Sequence, residues 1–267
     1  MISVVVKIVY KVLISDFEDT LIDEEDAIPL STMLALDKIR NKKVAYVTIS
    51  NNNFKSVLDY NKDFSFIDYI IVLNGAYIYD VNKAKALYKR NIAISIVKKI
   101  KKVFEDYNLC FYTLDWCNCT QELVEGDNVR KIGDFKVFSA FHKDNIFKVE
   151  IRCKNKKEQA SVLKELEELN LDVNFFSRNS ESKGFFVEIV MSECSRLDAV
   201  QRICKARKTS LKDSIIVTCS EDDSDILKKV GLAYAVDNAS NKVKKMVDKV
   251  TLSNLDKGVE RVIMDNF

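Results

Sequence analysis

Proline, glycine, histidine and tryptophan are scarce in this sequence, which has one proline, six glycines, one histidine and one tryptophan in 267 residues. The basic residues are mostly lysine, with 33 lysines against 9 arginines. This combination is typical of an AT-rich genome, which favours lysine and asparagine codons. Short repeats and low-complexity tracts are also lacking, and 47% of the residues are apolar. The sequence therefore predicts a soluble globular protein of one large domain or two ordinary ones.

Blocks of basic residues and arginine–aromatic patches do not occur, and the formal net charge is +2. These absences exclude a dedicated nucleic-acid binder. No apolar run is long enough to span a bilayer, so no membrane partner is expected. The apolar N-terminal run is interrupted by Lys7 and Lys11 and lacks a small-residue cleavage site. It predicts a buried strand rather than a signal peptide.

The cysteines are seven in number and irregularly spaced. A disulfide framework is therefore not expected, and we expect the protein to lie in a reducing cytoplasm. Cys117 and Cys119 form a CxC pair, but no second Cys/His pair lies at zinc-finger spacing. We interpret the pair as strand or loop thiols, with a metal role as the lesser alternative.

Short apolar runs alternate with amphipathic stretches at both ends of the chain. The pattern predicts strands at residues 4–15, 43–50, 69–73, 214–218 and 232–236, and helices at 30–41, 196–208 and 223–230. Strands separated by helices favour βαβ units and a parallel sheet, whose functional loops follow the carboxyl ends of the strands. The predicted fold class is α/β.

The middle of the chain has a different pattern. Helices are predicted at 94–107 and 156–169, and strands at 109–114, 146–153, 172–176 and 185–191. Two of these strands, FKVEIR and FVEIV, alternate apolar and polar residues, as a sheet covered on one face does. We therefore predict a discontinuous core of residues 1–81 and 191–267, with residues 82–190 inserted as a separate α+β domain.

A cluster of acids ends the first strand, in the run VLISDFEDTLID at residues 12–23. Asp16, Glu18 and Asp19 crowd like charges at one strand end, so a positive partner is expected there, either a lysine with solvent or a metal ion. The alternative is a solvated acidic turn.

Three further segments place polar side chains after strands or at a helix start. Ser50 and Asn51 follow the second strand in VTISNNN, and Asn74 and Gly75 follow the third in VLNGAYIYD. Arg196 opens a helix in SECSRLDAV. Taken one at a time, these segments are explained by ordinary turn and helix-start chemistry.

A last acidic segment, VTCSEDDSDIL, contains Cys219, Asp222 and Asp223. Acids are common in the first turn of a helix because the helix dipole favours negative charge there. In their order along the chain, however, the segments resemble the motifs of the Cof-type subfamily of the haloacid dehalogenase superfamily. ISDFEDTL is similar to the first motif, DxDGT, and VTCSEDDSD to the fourth, GDxxND. The trailing segment VGLAYAVDNAS, with Asn238 and Ala239, matches as well.

The resemblance spans nearly the whole chain and implies a Rossmann-like parallel core with an inserted C2-type cap over the site. It also implies a Mg²⁺-dependent phosphatase that acts on a small phosphorylated metabolite through an aspartyl-phosphate. The residues implied are Asp16 (nucleophile), Glu18 (acid/base) and Arg196 as catalytic, Ser50, Asn51 and Arg196 as phosphate-binding, and Asp16, Glu18, Asp222 and Asp223 as metal ligands.

Three positions depart from the family pattern. Glu18 and Cys219 stand where the motifs have aspartate, and Arg196 stands where Cof-type members have lysine. A catalytically weak or inactive protein that binds a phosphorylated ligand or partner is therefore the alternative to an enzyme. A phosphotransferase or mutase on the same fold is a third interpretation. The substrate and the oligomeric state stay open.

Overall fold

The computed structural model describes residues 9–22, 27–60, 64–121, 128–180 and 184–267. Its strands are β1 (Val12–Asp16), β2 (Ala45–Ile49), β3 (Tyr69–Val72), β4 (Tyr77–Asp80), β5 (Lys85–Lys89), β6 (Leu109–Tyr112), β7 (Cys117–Cys119), β8 (Val129–Lys131), β9 (Lys148–Cys153), β10 (Val173–Ser180), β11 (Gly184–Met191), β12 (Ser214–Thr218), β13 (Leu232–Ala235) and β14 (Lys249–Val250). Its helices are α1 (Leu30–Asn41), α2 (Phe54–Asp59), α3 (Ile94–Val103), α4 (Phe135–Phe141), α5 (Lys156–Glu168), α6 (Arg196–Ala206), α7 (Ser224–Leu227), α8 (Asn241–Lys244) and α9 (Gly258–Asn266). Within these ranges, no helix has the length and apolar character needed to cross a membrane.

The larger of two sheets has the strand order β14-β13-β12-β1-β2-β3-β4-β5. Strands from β14 to β3 pair in parallel, and β4 and β5 add an antiparallel hairpin at one edge. Strand β1 lies between β12 and β2, and all its residues are buried. Apolar residues such as Val12 and Ile14 suit a strand that is covered on both faces. The prediction of an α/β fold with a parallel core is confirmed.

Helices cover both faces of this sheet. Because successive side chains of a strand point to opposite faces, neighbouring residues of β1 pack against different helices. Leu13 packs in a core that also contains Leu36 and Ile39 of α1. Ile14 packs in a second core with Val200 of α6. Burial of each such side chain stabilises the fold by roughly 1.5–3 kcal/mol. The two layers thereby fix the carboxyl end of β1, where Asp16 lies.

The smaller sheet has the order β10-β11-β9-β6-β7-β8, and its strands are antiparallel except for the β7–β8 pair. Phe111 and Val149 share one buried core with Val162 of α5. The neighbouring positions Lys148 and Glu188 are also buried, although they are charged. Since side chains alternate along a strand, these charged residues lie on the opposite face from the apolar ones.

The structure differs from the sequence predictions at several boundaries. Residues 85–89, which the pattern assigns to the insert, form β5 and pair with β4 in the larger sheet. That boundary is corrected, because antiparallel strands can be joined by a short turn and need no helix between them. The rest of the division into core and insert stays a prediction.

Two predicted elements are shorter in the structure. The helix expected at 223–230 is replaced by a 3₁₀ turn at Glu221–Asp223 followed by α7. The strand expected at 4–15 begins at Val12, and its part before residue 9 lies outside the described residues.

The turn after β3 contains three successive residues in the left-handed region: Leu73, Asn74 and Gly75, with φ of 54°, 55° and 84°. This conformation costs a non-glycine residue roughly 1–2 kcal/mol. A Cβ atom at Gly75 would lie 2.2 Å from the carbonyl oxygen of Ser195, the residue that caps α6. Glycine is therefore required where this turn meets the start of the helix that carries Arg196.

We expect Gly75→Ala to lower the free energy of unfolding by at least about 2 kcal/mol, because the new methyl group meets backbone and the left-handed φ is strained. The matched control is Gly133→Ala, since a Cβ added there meets no atom of the described residues within 4 Å beyond its own chain neighbours. Urea unfolding of both variants measures the difference. Equal stability of the two variants would contradict the close approach of Gly75 to α6.

Candidate active site at the strand ends of the larger sheet

Three neighbouring strands of the larger sheet end at the same place. In the order β12-β1-β2, the carboxyl ends bring Thr218, Asp16 and the residue after β2, Ser50, to one edge. Arg196 is the first residue of α6 and lies against the same edge. Ligands of open α/β sheets bind outside such strand ends. The structure thus brings together residues from four distant segments of the chain.

The guanidinium of Arg196 lies between two buried carboxylates. Its Nη1 is 3.3 Å from Oδ1 of Asp16 and 2.8 Å from Oδ1 of Asp223, and its Nε donates to Oδ1 of Asn51 at 3.2 Å. Asp16 is 4%, Arg196 6% and Asp223 0% exposed. The planar fork of arginine serves these three partners at once, whereas a lysine has one nitrogen.

Burial and the neighbouring acids act in the same direction on the Asp16 carboxyl. Burial raises the pKa of Asp16 well above its ordinary value, Arg196 opposes this, and the charges of Asp223 and Glu18 raise it further. For Arg196, burial acts to lower the pKa, but Asp223 and Asp16 outweigh burial and raise it well above its ordinary value. The cluster therefore holds Arg196 as a permanent cation and favours any further positive charge beside Asp16.

The carboxylate of Asp223 is held from two sides. Arg196 binds Oδ1, and the hydroxyl of Thr218 donates to Oδ2 at 2.6 Å. The backbone N–H of Ser220 donates to the same hydroxyl oxygen at 2.8 Å. The sequence does not reveal this role of Thr218, although the similarity of VTCSEDDSD to GDxxND places Thr218 at the glycine position of the fourth motif.

Glu18 and Ser50 contact each other directly. The hydroxyl of Ser50 donates to Oε1 of Glu18, and Nδ2 of Asn52 donates to the same oxygen at 2.9 Å. The backbone N–H of Ser50 donates to the carbonyl of Ile71 at 2.9 Å. The longer side chain of Glu18 is thus fixed by donors from the segment after β2.

The smaller sheet contributes three charged side chains to the same region. Nζ of Lys148 donates to the carbonyl of Asn51 at 2.9 Å and lies 2.6 Å from Oε1 of Glu188. Arg178 lies 3.1 Å from Oε2 of Glu188 through Nε and 2.7 Å from Oδ1 of Asp222 through Nη1. Burial acts to raise the pKa of Glu188, but Lys148 and Arg178 outweigh it and lower the pKa to about 2. These contacts connect the two sheets above Asp16.

A small cavity of about 140 Å³ lies between the two sheets. Its lining includes Asn74, Phe176, Arg178, Arg196 and Asp222. Oδ1 of Asn74 is buried and has no hydrogen-bond partner among the described residues, while its Nδ2 donates to Glu188 at 2.9 Å. The cavity therefore offers two guanidinium groups and a free amide oxygen to a small polar group.

A model of the haloacid dehalogenase-like hydrolase family matches residues 13–263. The chain belongs to this family. It is 21% identical to a Haemophilus influenzae protein named "Putative phosphatase", over 97% of this chain and 98% of that protein. A haloacid dehalogenase-like hydrolase structure from B. subtilis has a TM-score of 0.80 at 18% identity, covering 96% of this chain and 100% of that one. A subclass IIB sugar phosphatase structure of the superfamily has a TM-score of 0.77 at 18% identity, covering 96% and 98%.

Haloacid dehalogenase phosphotransferases generally use Mg²⁺, and two donors beside Asp16 suit this ion. Oδ2 of Asp16 and the carbonyl oxygen of Glu18 lie 3.7 and 3.6 Å from Sγ of Cys219. Both are hard oxygen donors of the kind that Mg²⁺ prefers. Burial and the charge of Asp16 raise the pKa of the Cys219 thiol, so this third group is neutral and soft. Among the described residues, Asp16 and Glu18 thus offer two hard oxygens to the ion. Both carboxylate oxygens of Asp223, another predicted metal ligand, are engaged by Arg196 and Thr218.

Asp222, which the haloacid dehalogenase motif implies as a metal ligand, has both carboxylate oxygens engaged elsewhere. Oδ1 lies 2.7 Å from Arg178, and Oδ2 accepts from Nδ2 of Asn51 at 2.9 Å. These contacts favour a role in joining the smaller sheet to the site. The sequence signal for Arg178, Lys148 and Glu188 is weak, because charged residues on an alternating strand also suit an exposed face.

The aromatic residues of the smaller sheet lie on both of its faces, and the single histidine lies beside one of its helices. Tyr112 faces the polar side, with its hydroxyl donating to Oε2 of Glu150 at 3.1 Å. Phe111 packs against Phe138 on the apolar side. His142 ends α4 and contacts the ring of Phe138, so it lies with the helices of the smaller sheet.

We expect Glu188→Gln to change the pH dependence of stability. Because the pKa of Glu188 in the folded state lies near 2 and its ordinary value is 4.5, its contribution is complete above pH 4.5 and is lost as the pH falls towards 2. The stability advantage of the wild type over Glu188→Gln should shrink by about 3 kcal/mol over that window. Urea unfolding across this pH range measures it, with the exposed Glu167→Gln as control. An advantage independent of pH would contradict the buried ion pairs.

Proposed function

We propose that the protein is a phosphatase that hydrolyses a small phosphorylated metabolite through an aspartyl-phosphate on Asp16. The observation that carries the proposal is the position of Asp16 at the end of the central strand, with Arg196 between it and Asp223. The relative named "Putative phosphatase" and the structural neighbour described as a sugar phosphatase support the same reaction class.

In the first step, one carboxylate oxygen of Asp16 attacks phosphorus, and the bond to the leaving oxygen breaks. The carboxyl of Glu18 gives its proton to that oxygen, and the released alcohol departs. In the second step, Glu18 takes a proton from water, whose oxygen attacks phosphorus and restores the Asp16 carboxylate with release of phosphate. Oδ1 of Asp16 is the oxygen beside Arg196, so we assign it as the nucleophile, with the guanidinium neutralising the transferring group.

Asp16 Oδ2 and the carbonyl of Glu18 would hold Mg²⁺, which supplies positive charge to the phosphoryl oxygens when bound. The charges of the site agree with a divalent cation. Five carboxyl groups (Asp16, Glu18, Asp222, Asp223 and Glu188) lie in this region with three cations (Arg196, Arg178 and Lys148), so the negative charges exceed the positive by two when all five carboxyl groups are ionised.

The leaving group is proposed to occupy the cavity beside Arg178, under the smaller sheet acting as a cap. The cavity of about 140 Å³ is lined largely by charged and polar side chains, which favours a compact polar group over a nucleoside. Arg178 and Asn74 are its proposed contacts with the substrate, and Phe176 the apolar wall.

A second candidate function is the binding of a phosphorylated ligand without turnover. The observation that favours it is the neutral thiol of Cys219 beside Oδ2 of Asp16, where a carboxylate would complete a set of hard donors. Loss of that ligand weakens the binding of the cation on which phosphoryl transfer depends.

We expect Asp16→Asn to abolish phosphatase activity, because a neutral amide cannot form the acyl phosphate. Activity is measured with sugar phosphates and an aryl phosphate, with and without Mg²⁺. Asp37→Asn, a change of the same chemistry at an exposed position of α1, is the control and should keep wild-type activity. Turnover by pure Asp16→Asn would rule out this nucleophile.

We expect Cys219→Asp to tighten Mg²⁺ binding by about tenfold or more, or about 1.4 kcal/mol, and to raise turnover at low Mg²⁺, because it adds a hard anionic oxygen. Cys219→Ser is the matched control, since it stays neutral and should leave the affinity near that of the wild type. Calorimetry and turnover across a Mg²⁺ series measure both effects. Turnover only in Cys219→Asp would mean that Cys219 has switched the site off. Absence of turnover in all three proteins would leave the second candidate function, the binding of a phosphorylated ligand without turnover.

A further inference from the structure

Three cysteines that the active site does not use converge in the smaller sheet. Strands β6 and β7 pair so that Cys110 lies opposite Cys119 and Tyr112 opposite Cys117. Since alternate residues share a face, Cys110, Cys117 and Cys119 all project to the same side of the sheet. Sequence spacing shows only the CxC pair, because the third cysteine enters through strand pairing.

The sulfur atoms of this three-cysteine cluster form a compact triangle. Sγ of Cys119 lies 3.1 Å from Sγ of Cys110 and 3.8 Å from Sγ of Cys117, and all three ligand atoms lie within 4.8 Å of one another. Three thiolates bound to one zinc ion at about 2.3 Å, at tetrahedral angles, lie about 3.8 Å apart. The triangle therefore needs shifts of about an ångström or less to close around one ion.

We propose that Cys110, Cys117 and Cys119 bind one thiophilic divalent ion, Zn²⁺, at a structural site in the smaller sheet. The site is separate from the Mg²⁺ position at Asp16 and does not depend on the proposed phosphatase activity. Soft thiolate donors select zinc, whereas the oxygens beside Asp16 suit a hard ion.

The cluster is buried in the smaller sheet, beside an ion pair. The three thiols are 0%, 2% and 0% exposed, so an ion there is shielded from water. Three thiolates and Zn²⁺ leave one negative charge, while Arg152 and Glu150, which pair at 2.6 Å beside Cys110, together add no net charge. The hydroxyl of Tyr112 contacts Cys117. Zinc at a structural site usually has four ligands, and the oxygen of this hydroxyl would be the fourth.

Ion binding at the cluster is coupled to proton release. Contacts with Cys117 and Cys119, together with burial, raise the pKa of the Cys110 thiol well above its ordinary value. The Cys110 thiol is therefore protonated without an ion, and binding of Zn²⁺ by the three cysteines as thiolates releases their S–H protons to the solvent.

The cluster also adjoins the part of the smaller sheet that reaches the active site. Nζ of Lys148 lies 4.1 Å above the ring of Tyr112, and the same Nζ donates to the carbonyl of Asn51. An ion that ties β6 to β7 would therefore rigidify the strand that supports Lys148.

The test uses the full-length protein, freed of metal and kept in a phosphine reductant, titrated with Co²⁺ as a spectroscopic substitute for Zn²⁺. We expect one equivalent of Co²⁺ to give the near-ultraviolet absorption of thiolate-bound cobalt, and Zn²⁺ to displace it. Cys110→Ser and Cys119→Ser should weaken binding on the order of a hundredfold or more. Zn²⁺ should raise the melting temperature of the wild type by several degrees and leave Cys119→Ser unchanged.

Two matched cysteine variants locate the ion. Cys204→Ser removes a buried thiol outside the cluster, and Cys219→Ser removes the thiol of the candidate active site, so both should keep the thiolate band. Absence of the band from the reduced wild-type protein would overturn the proposal, whatever the folding of the variants. Loss of the band in Cys219→Ser, with retention in Cys119→Ser, would also overturn it and assign the ion to the active site.

Discussion

The guanidinium of Arg196 between two buried carboxylates is the interaction on which the site depends. Asp16 and Asp223 lie at the ends of neighbouring segments of one parallel sheet, where their charges repel each other without a cation. Removing one partner of such a buried pair costs about 3–5 kcal/mol. Other features hold this geometry: the left-handed turn at Gly75 supports the start of α6, and Thr218 orients Asp223.

Asn51 connects this pair to the rest of the molecule. Its side-chain oxygen accepts from Arg196, its amide nitrogen donates to Asp222, and its carbonyl accepts from Lys148 of the smaller sheet. One residue thus contacts three segments that are distant in sequence. Arginine at position 196 belongs to this arrangement, because Nη1 binds the carboxylates while Nε reaches Asn51. A lysine could not serve both sides. The departure from the family's lysine is therefore accommodated by its neighbours.

The sequence predicts the part of the site that strand order determines. Once β1, β2 and β12 are recognised as parallel neighbours, the meeting of Asp16 with Asp223 follows, since carboxyl ends share one edge. The contacts of Arg178 and Lys148 do not follow, because they depend on how the smaller sheet packs over the larger one. Local periodicity carries no information about that packing. The sequence pattern does not predict the β4–β5 hairpin either, because its half-exposed second strand, which begins and ends with lysine, lacks a clear apolar pattern.

Cysteine has opposite consequences at its two notable locations. At position 219, one thiol lies beside two oxygens, where it removes a hard ligand and stays protonated next to the charge of Asp16. In the three-cysteine cluster, each sulfur has two others as neighbours, so soft donors are matched with one another. A thiophilic ion gains more from three thiolates than from one thiol among oxygens. The two locations therefore differ in the ion that they prefer, and an ion such as Zn²⁺ has a better site in this chain than the one beside Asp16.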